Sequence, residues 1–151
     1  MEIREQPKLL FFGVDIAEVK FKSLKKIEDE VKINVNIEPR GYIPKDDPTK
    51  FFILMHVKVN SVAHFNLTFT AIGNFKIIPS DLSFEERKSF IDVNAVAIMF
   101  PYVRSFISTF TSALGKSTGN IIIPTRFFKG ELKLIENVEE LSDLLLVAKS
   151  E

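Results

Sequence analysis

The stretch "NAVAIMFPYVRSF", Asn94 to Phe106, decides how this chain is read. It has helical apolar spacing, yet Pro101 stands in its middle. A proline there lacks the amide donor and clashes with the preceding turn, at ~3 kcal/mol or more. Working outward, Ile91 to Leu114 carries two apolar stripes: Val93, Val96, Phe100, Val103, Ile107, Phe110 and Leu114, then Ile91, Ala95, Ile98, Tyr102, Phe106 and Thr109. A helix apolar nearly all round must be covered on both sides. One sheet covers one side, so the second cover is most simply another subunit. Ile98, Tyr102, Phe106 and Thr109 are the candidate oligomer interface. The helix is expected to start near Leu82 with Ser80 or Asp81 as its cap, and to end at Gly115.

Upstream of this helix the period is two. Val31, Ile33, Val35 and Ile37 alternate with Lys32, Asn34 and Asn36. Phe51, Ile53, Met55, Val57 and Val59 oppose Phe52, Leu54, His56, Lys58 and Asn60, and "HFNLTFTAIGNFKI" repeats the pattern with Gly73 as a bulge or bend. With an earlier strand between Leu9 and Leu24, four half-buried strands result. Short connections favour an antiparallel meander, with Pro39 to Pro48 read as a crossover loop. Downstream, "KSTGNIIIPTRFFKG" leads to a last helix, Val138 to Lys149, capped by Asn137 and carrying Leu141, Leu144 and Leu145 on its apolar side. The fold class is α+β: a four-stranded antiparallel meander under a long kinked helix, with a second C-terminal helix. The 151 residues fit one domain.

Lysine plus arginine equals aspartate plus glutamate at 20 each, so no basic surplus points to nucleic acid. There is no cysteine, which removes disulfides, thiolate catalysis and Cys-type zinc sites. "MEIREQPKLL" lacks a signal-peptide core, and Pro101 and Arg104 interrupt the most apolar run too soon for a membrane span. A cytoplasmic protein without membrane insertion is expected. Fifteen phenylalanines accompany no tryptophan and two tyrosines, an aromatic core with some surface left for partners.

Chemistry is sparse. His56 and His64 have no third ligand at metal spacing. The acidic pairs Asp46–Asp47, Glu85–Glu86 and Glu139–Glu140 suit a loop and helix starts. Gly115 and Gly119 around "KSTGN" fit neither a Walker loop nor a dinucleotide fingerprint. No enzyme, metal or cofactor is expected.

The helix "MFPYVRSFI", Met99 to Ile107, followed by Gly115 and then "IIIPTRF", Ile121 to Phe127, resembles the SecB protein-export chaperones. "EVKINVNI" is similar to that family's second strand, and the resemblance spans roughly Leu10 to Leu132. It implies a tetramer, a dimer of dimers, with the long helix sandwiched between subunits, and a kink at Pro101 fitting the helix to sheet and partner. Arg104 would bind carbonyls freed around the proline. Carried over from the family, Val31, Ile33, Val35 and Phe65 are candidate client-binding residues, with Leu141, Leu144 and Leu145 of the last helix. SecB meets its motor SecA through carboxylates on the outer sheet face; the matching positions here are Glu18, Lys22, Asn66 and Thr68, so SecA docking is expected to be weak or absent.

The resemblance implies an ATP-independent holdase for non-native polypeptides such as unfolded preproteins, gripping them by non-directional apolar burial. The alternatives are an adaptor for one partner, such as an antitoxin or secretion component, and a carrier of a small apolar ligand.

Overall fold

Period-two alternation becomes sheet, and the 3.6-residue period becomes helix. The strands are β1 (Lys8–Ser23), β2 (Asn34–Tyr42), β3 (Lys50–Ser61) and β4 (Phe65–Ile78); helix α1 (Phe84–Ser112) and a short strand β5 (Lys133–Ile135) follow. The structure, a computed structural model, describes residues 8–28, 30–44, 47, 49–78, 82–123 and 133–135. The expected α+β architecture, a four-stranded antiparallel sheet with a long bent helix, is present. The second helix expected over Val138 to Lys149 lies outside the described residues.

Strand order corrects the simple meander. It runs β1-β4-β3-β2-β5, so β2, β3 and β4 meander while β1 pairs with β4 at the far edge. This is a Greek key, since one strand returns across the sheet beside a three-strand meander. The crossover is therefore the connection between β1 and β2. Pro39 to Tyr42 belong to β2, paired with β3 as far as Tyr42 opposite Phe52, so β2 and β3 form a hairpin. Proline is tolerated here because β2 lies near the edge of the sheet. The edge partner β5 runs parallel to β2, from Arg40 opposite Lys133 to Tyr42 opposite Ile135.

Two bulges explain why β1 shows no clean alternation. Its register against β4 shifts between Phe11 and Val14 and again between Ala17 and Lys20. Each shift inserts one residue and flips the side-chain phase. Leu9 and Phe11, then Val14 and Ile16, then Phe21 all pack toward the helix. Gly13 (φ 107) and Glu18 (φ 53) supply the left-handed backbone at the two shifts. Gly73 is not a bulge. A Cβ there would stand 2.8 Å from Met99 Sδ and 2.8 Å from Phe75, so glycine lets the helix approach the sheet.

Helix α1 begins with a serine N-cap. Ser83 Oγ accepts from the Glu86 amide at 3.1 Å and lies 3.2 Å from the Glu86 carboxylate; Ser83, rather than Ser80 or Asp81, is the cap. The helix is continuous through Pro101 and ends at Ser112, with Gly115 (φ 94) turning the chain afterwards. Ile91, Ala95, Val96, Met99, Phe100, Val103 and Ile107 are buried against the inner sheet face. Neither sequence stripe describes that line. Ile91 and Thr109 are five turns apart at about 3.6 residues per turn and share one angular position, yet the first is buried and the second exposed. The buried line winds round the helix as it follows a twisted sheet. By length and composition α1 could cross a membrane, despite Pro101 and Arg104, with a mean hydropathy of 1.4. Here its buried face is filled by the sheet. Aromatic pairs knit the contact: Phe69–Phe106 at 4.7 Å, Phe21–Phe110 at 6.0 Å and Phe11–Tyr102 at 4.9 Å.

Candidate polypeptide-binding and self-association surfaces

Three surfaces flank this core. The first lies where the crossover meets the β3–β4 hairpin. That hairpin is closed by the His64 amide donating to the Ser61 carbonyl at 2.9 Å and by a Ser61 Oγ to His64 Nδ1 contact at 2.9 Å. The Leu24 and Lys25 amides both donate to the His64 carbonyl, and the Ile27 amide donates to Ser117 O at 2.9 Å. The crossover is thereby tied to the hairpin on one side and to the turn after α1 on the other. Half-buried Ile27 packs on the core beneath. At the same end of the sheet stand exposed apolar residues: Leu24 at 52%, Ile33 at 37% and Val62 at 82% exposure.

The sequence candidates divide at this surface. Val31 and Ile33 precede β2 instead of lying within it, Val31 half-buried and Ile33 exposed. Val35, in β2, is half-buried against the core. Phe65 is 1% exposed and stacks toward Phe21, so in the folded chain it is core and supports the surface from beneath. Its position opens β4, where inward alternation carries it under the helix. Leu141, Leu144 and Leu145 lie outside the described residues. Leu24 and Val62 were not anticipated; the available signal was an apolar residue in the turn "SVAH", where a polar one is usual. Beside these side chains, the outer edge of β2 from Asn34 to Pro39 has no strand neighbour among the described residues. An unpaired edge with adjacent apolar side chains can take an added strand, main chain bonding to main chain.

The second surface is the exposed side of α1. Ala97, Pro101, Tyr102, Ser105, Thr109 and Ser112 form it, with Tyr102 51% exposed and Ile98 and Phe106 half-buried at its margin. From Asn94 to Ser112 the sole charged residue is Arg104. Its Nε donates to Ile123 O at 3.0 Å, so it anchors the segment after the helix and not carbonyls freed by the proline. Ser108 Oγ to Asn120 Oδ1 at 3.1 Å, and the Ile121 amide to Thr111 Oγ1 at 2.9 Å, complete that anchor. A cleft of about 290 Å³ runs between helix and segment, past Pro101, Ser105, Thr109 and Ile122. Pro101 costs less here than in a buried turn. Ala97, the residue one turn before it whose carbonyl loses its donor, is exposed, and water can satisfy that oxygen.

The third surface is the outer sheet face, where His56 Nδ1 lies 3.0 Å from Thr70 Oγ1. Both histidines are thus held in hydroxyl contacts of the sheet and its hairpin. Among the described residues no group of three His, Cys, Asp or Glu side chains stands together.

No protein-family model matches the chain. Over 118 residues it is 29% identical to an uncharacterised protein of Methanocaldococcus jannaschii, an alignment covering 75% of this chain and 74% of that one. Among solved structures, the SecB-like chaperone of Mycobacterium tuberculosis, in complex with a peptide from the HigA1 antitoxin, superposes with a TM-score of 0.62 at 11% identity. The match covers 77% of this chain and 89% of that one. A protein of unknown function from Streptococcus agalactiae gives a TM-score of 0.41 at 10% identity over 80% of this chain and 99% of that one. What the chain shares with the mycobacterial SecB-like chaperone is its fold, a four-stranded antiparallel sheet with a long helix, at a sequence distance where nothing further carries across.

Proposed function

We propose that this protein is an ATP-independent holdase that binds non-native polypeptides and assembles with copies of itself. The observation that carries the reading is the exposed apolar group Leu24, Ile33 and Val62 beside the open β2 edge, on a fold like that of a chaperone solved in complex with a peptide. Client side chains would be gripped by apolar burial at ~25 cal/mol per Å², and the client main chain by the strand edge. Neither interaction reads sequence, which suits a holdase for unfolded preproteins. The uncharged side of α1, with Ile98, Tyr102, Phe106 and Thr109, is the proposed contact between subunits in a homotetramer. SecA docking is not part of this reading, because Lys22, Asn66 and Thr68 stand where its acidic contacts would be needed.

A second reading has its own support. The mycobacterial chaperone is bound to a peptide of one antitoxin, which favours a dedicated adaptor for a single partner. Client breadth separates the two. A holdase delays aggregation of two unrelated thermally unfolding enzymes at stoichiometric ratio; an adaptor protects neither. Ile33→Ser together with Val62→Ser should abolish that protection while leaving the circular dichroism spectrum and melting temperature nearly unchanged. Full protection by the folded double variant would remove this surface from the mechanism.

A further inference from the structure

Strand register places the residues of the outer sheet face in rows, because directly paired residues point the same way. One row reads Lys20, Thr68, Lys58, Asn36, and the next reads Lys22, Asn66, Asn60, Asn34. We infer that this part of the outer face, centred on Lys20, Lys22 and Lys58, docks an acidic, extended segment of a partner protein. The inference stands apart from the capture of non-native chains and uses the opposite kind of chemistry.

Among the described residues none of the three lysines is held in an ion pair. Lys50, at the far end of the same face, is by contrast paired with Asp47 at 4.0 Å. Lys20, Lys22 and Lys58 are all exposed, so no packing reason accounts for their grouping. Lys20 and Lys58 are two strand spacings apart, about 10 Å, and Lys20 and Lys22 about 7 Å along one strand. Alternate residues of an extended peptide are also about 7 Å apart, so acidic residues at every second position match the lysines of β1. The row Asn66, Asn60, Asn34 forms a flat amide shelf beside them that can donate to and accept from a peptide main chain.

Glu18 and Glu38 bound the patch. Both line a shallow depression of about 310 Å³ with Lys20, His56, Lys58 and Thr68. They limit the positive footprint to about 10 Å, too short to track a run of phosphates. The two lysine rows contain no Phe, Tyr, Trp or Arg, the groups on which single-stranded bases stack. The chain has a formal net charge of zero, so the lysine group is a local feature in a protein without a general pull on polyanions. These points favour a peptide over a nucleic acid.

The probe is a fluorescein-labelled peptide of about twelve residues alternating glutamate and serine, read by anisotropy with the full chain at low salt. Its glutamine–serine counterpart and an oligothymidylate of equal length are the comparators. Saturable binding of the acidic peptide is expected, weakened about tenfold or more in Lys20→Gln/Lys58→Gln, where two of three cations are removed. Glu18→Gln/Glu38→Gln should tighten it, and Lys88→Gln on α1 should leave it unchanged. Salt near 500 mM should weaken wild-type binding as strongly as the lysine substitutions do. Failure to saturate by about 1 mM would overturn the inference. So would equal binding of the glutamine peptide, or undiminished binding in the folded lysine variant. Tighter binding of the oligothymidylate through the same lysines would replace the peptide with a nucleic acid and overturn the assignment.

Discussion

Replacing Gly73 by alanine tests how closely α1 is pressed on the sheet. The added methyl would sit 2.8 Å from Met99 Sδ and 2.8 Å from Phe75 Cε2, whereas apolar heavy atoms rest at about 3.5–4.0 Å. Either Met99 or the Phe75 ring must move by nearly an ångström. Both are buried, Phe75 being also stacked on Phe51 at 5.0 Å, so neither can turn out to solvent. Overpacking of this kind costs about 1–3 kcal/mol. The unfolded chain loses freedom when glycine becomes alanine, which offsets about 0.4–1 kcal/mol. The net expectation is a loss of about 1–2 kcal/mol, or a melting temperature lower by about 3–6 °C for a chain of this size. Urea unfolding of Gly73→Ala, Met99→Ala and the double variant closes a cycle. Met99→Ala alone should cost about 2–5 kcal/mol as a cavity. In its background the alanine at 73 should cost less than in the wild type, because the sulfur is gone and the Phe75 ring can shift into the space it leaves. Strict additivity, or a Gly73→Ala protein as stable as wild type, would refute the claim that glycine is required for helix approach.

Tyr102→Asp should lower the oligomer mass in multi-angle light scattering and cost the single chain only its ring contact with Phe11, because Tyr102 is half exposed there and a charge is most costly where a partner desolvates it. A stable wild-type monomer at micromolar concentration would end the proposal that α1 is covered by a second copy. Pro101→Ala restores a helix donor toward the exposed Ala97 carbonyl and should raise thermal stability while weakening self-association; an unchanged association constant would mean that the proline is merely tolerated. Ser83→Ala should cost about 1 kcal/mol in urea unfolding through loss of the N-cap bond to the Glu86 amide. The Asp47 carboxyl is held below the usual carboxylate range by the Thr49 hydroxyl and amide. A folded-state value lowered in this way contributes stability above the unfolded carboxylate pKa that disappears as pH falls through the folded one. Asp47→Asn should therefore narrow the difference in melting temperature between neutral and acidic buffer, by a small amount because Asp47 lies in an exposed loop.

By itself the sequence determined where β3, β4 and the long helix run, and the α+β class that follows. Alternation in β2, β3 and β4 set their inner faces correctly, since a period of two leaves no choice of face once one side must be buried. The apolar, nearly uncharged run around Pro101 announced a helix that one sheet does not cover. Of the candidate binding surface, Val31 and Ile33 were legible as apolar residues but were read as members of the second strand, which begins only at Asn34. Tertiary structure decided what alternation cannot carry. The bulges at Gly13 and Glu18 flip the phase of β1 twice, which hides its inner face from any fixed period. Strand order depends on which non-adjacent segments pair, and no local pattern in β1 or β2 states that β1 closes against β4. Phe65 and Ile33 both read as inward members of a strand, yet one is sealed beneath the helix and the other lies outside the sheet with its side chain in water. Burial is a property of what arrives from elsewhere in the chain, and that is settled only when the crossover, the hairpin and the helix meet.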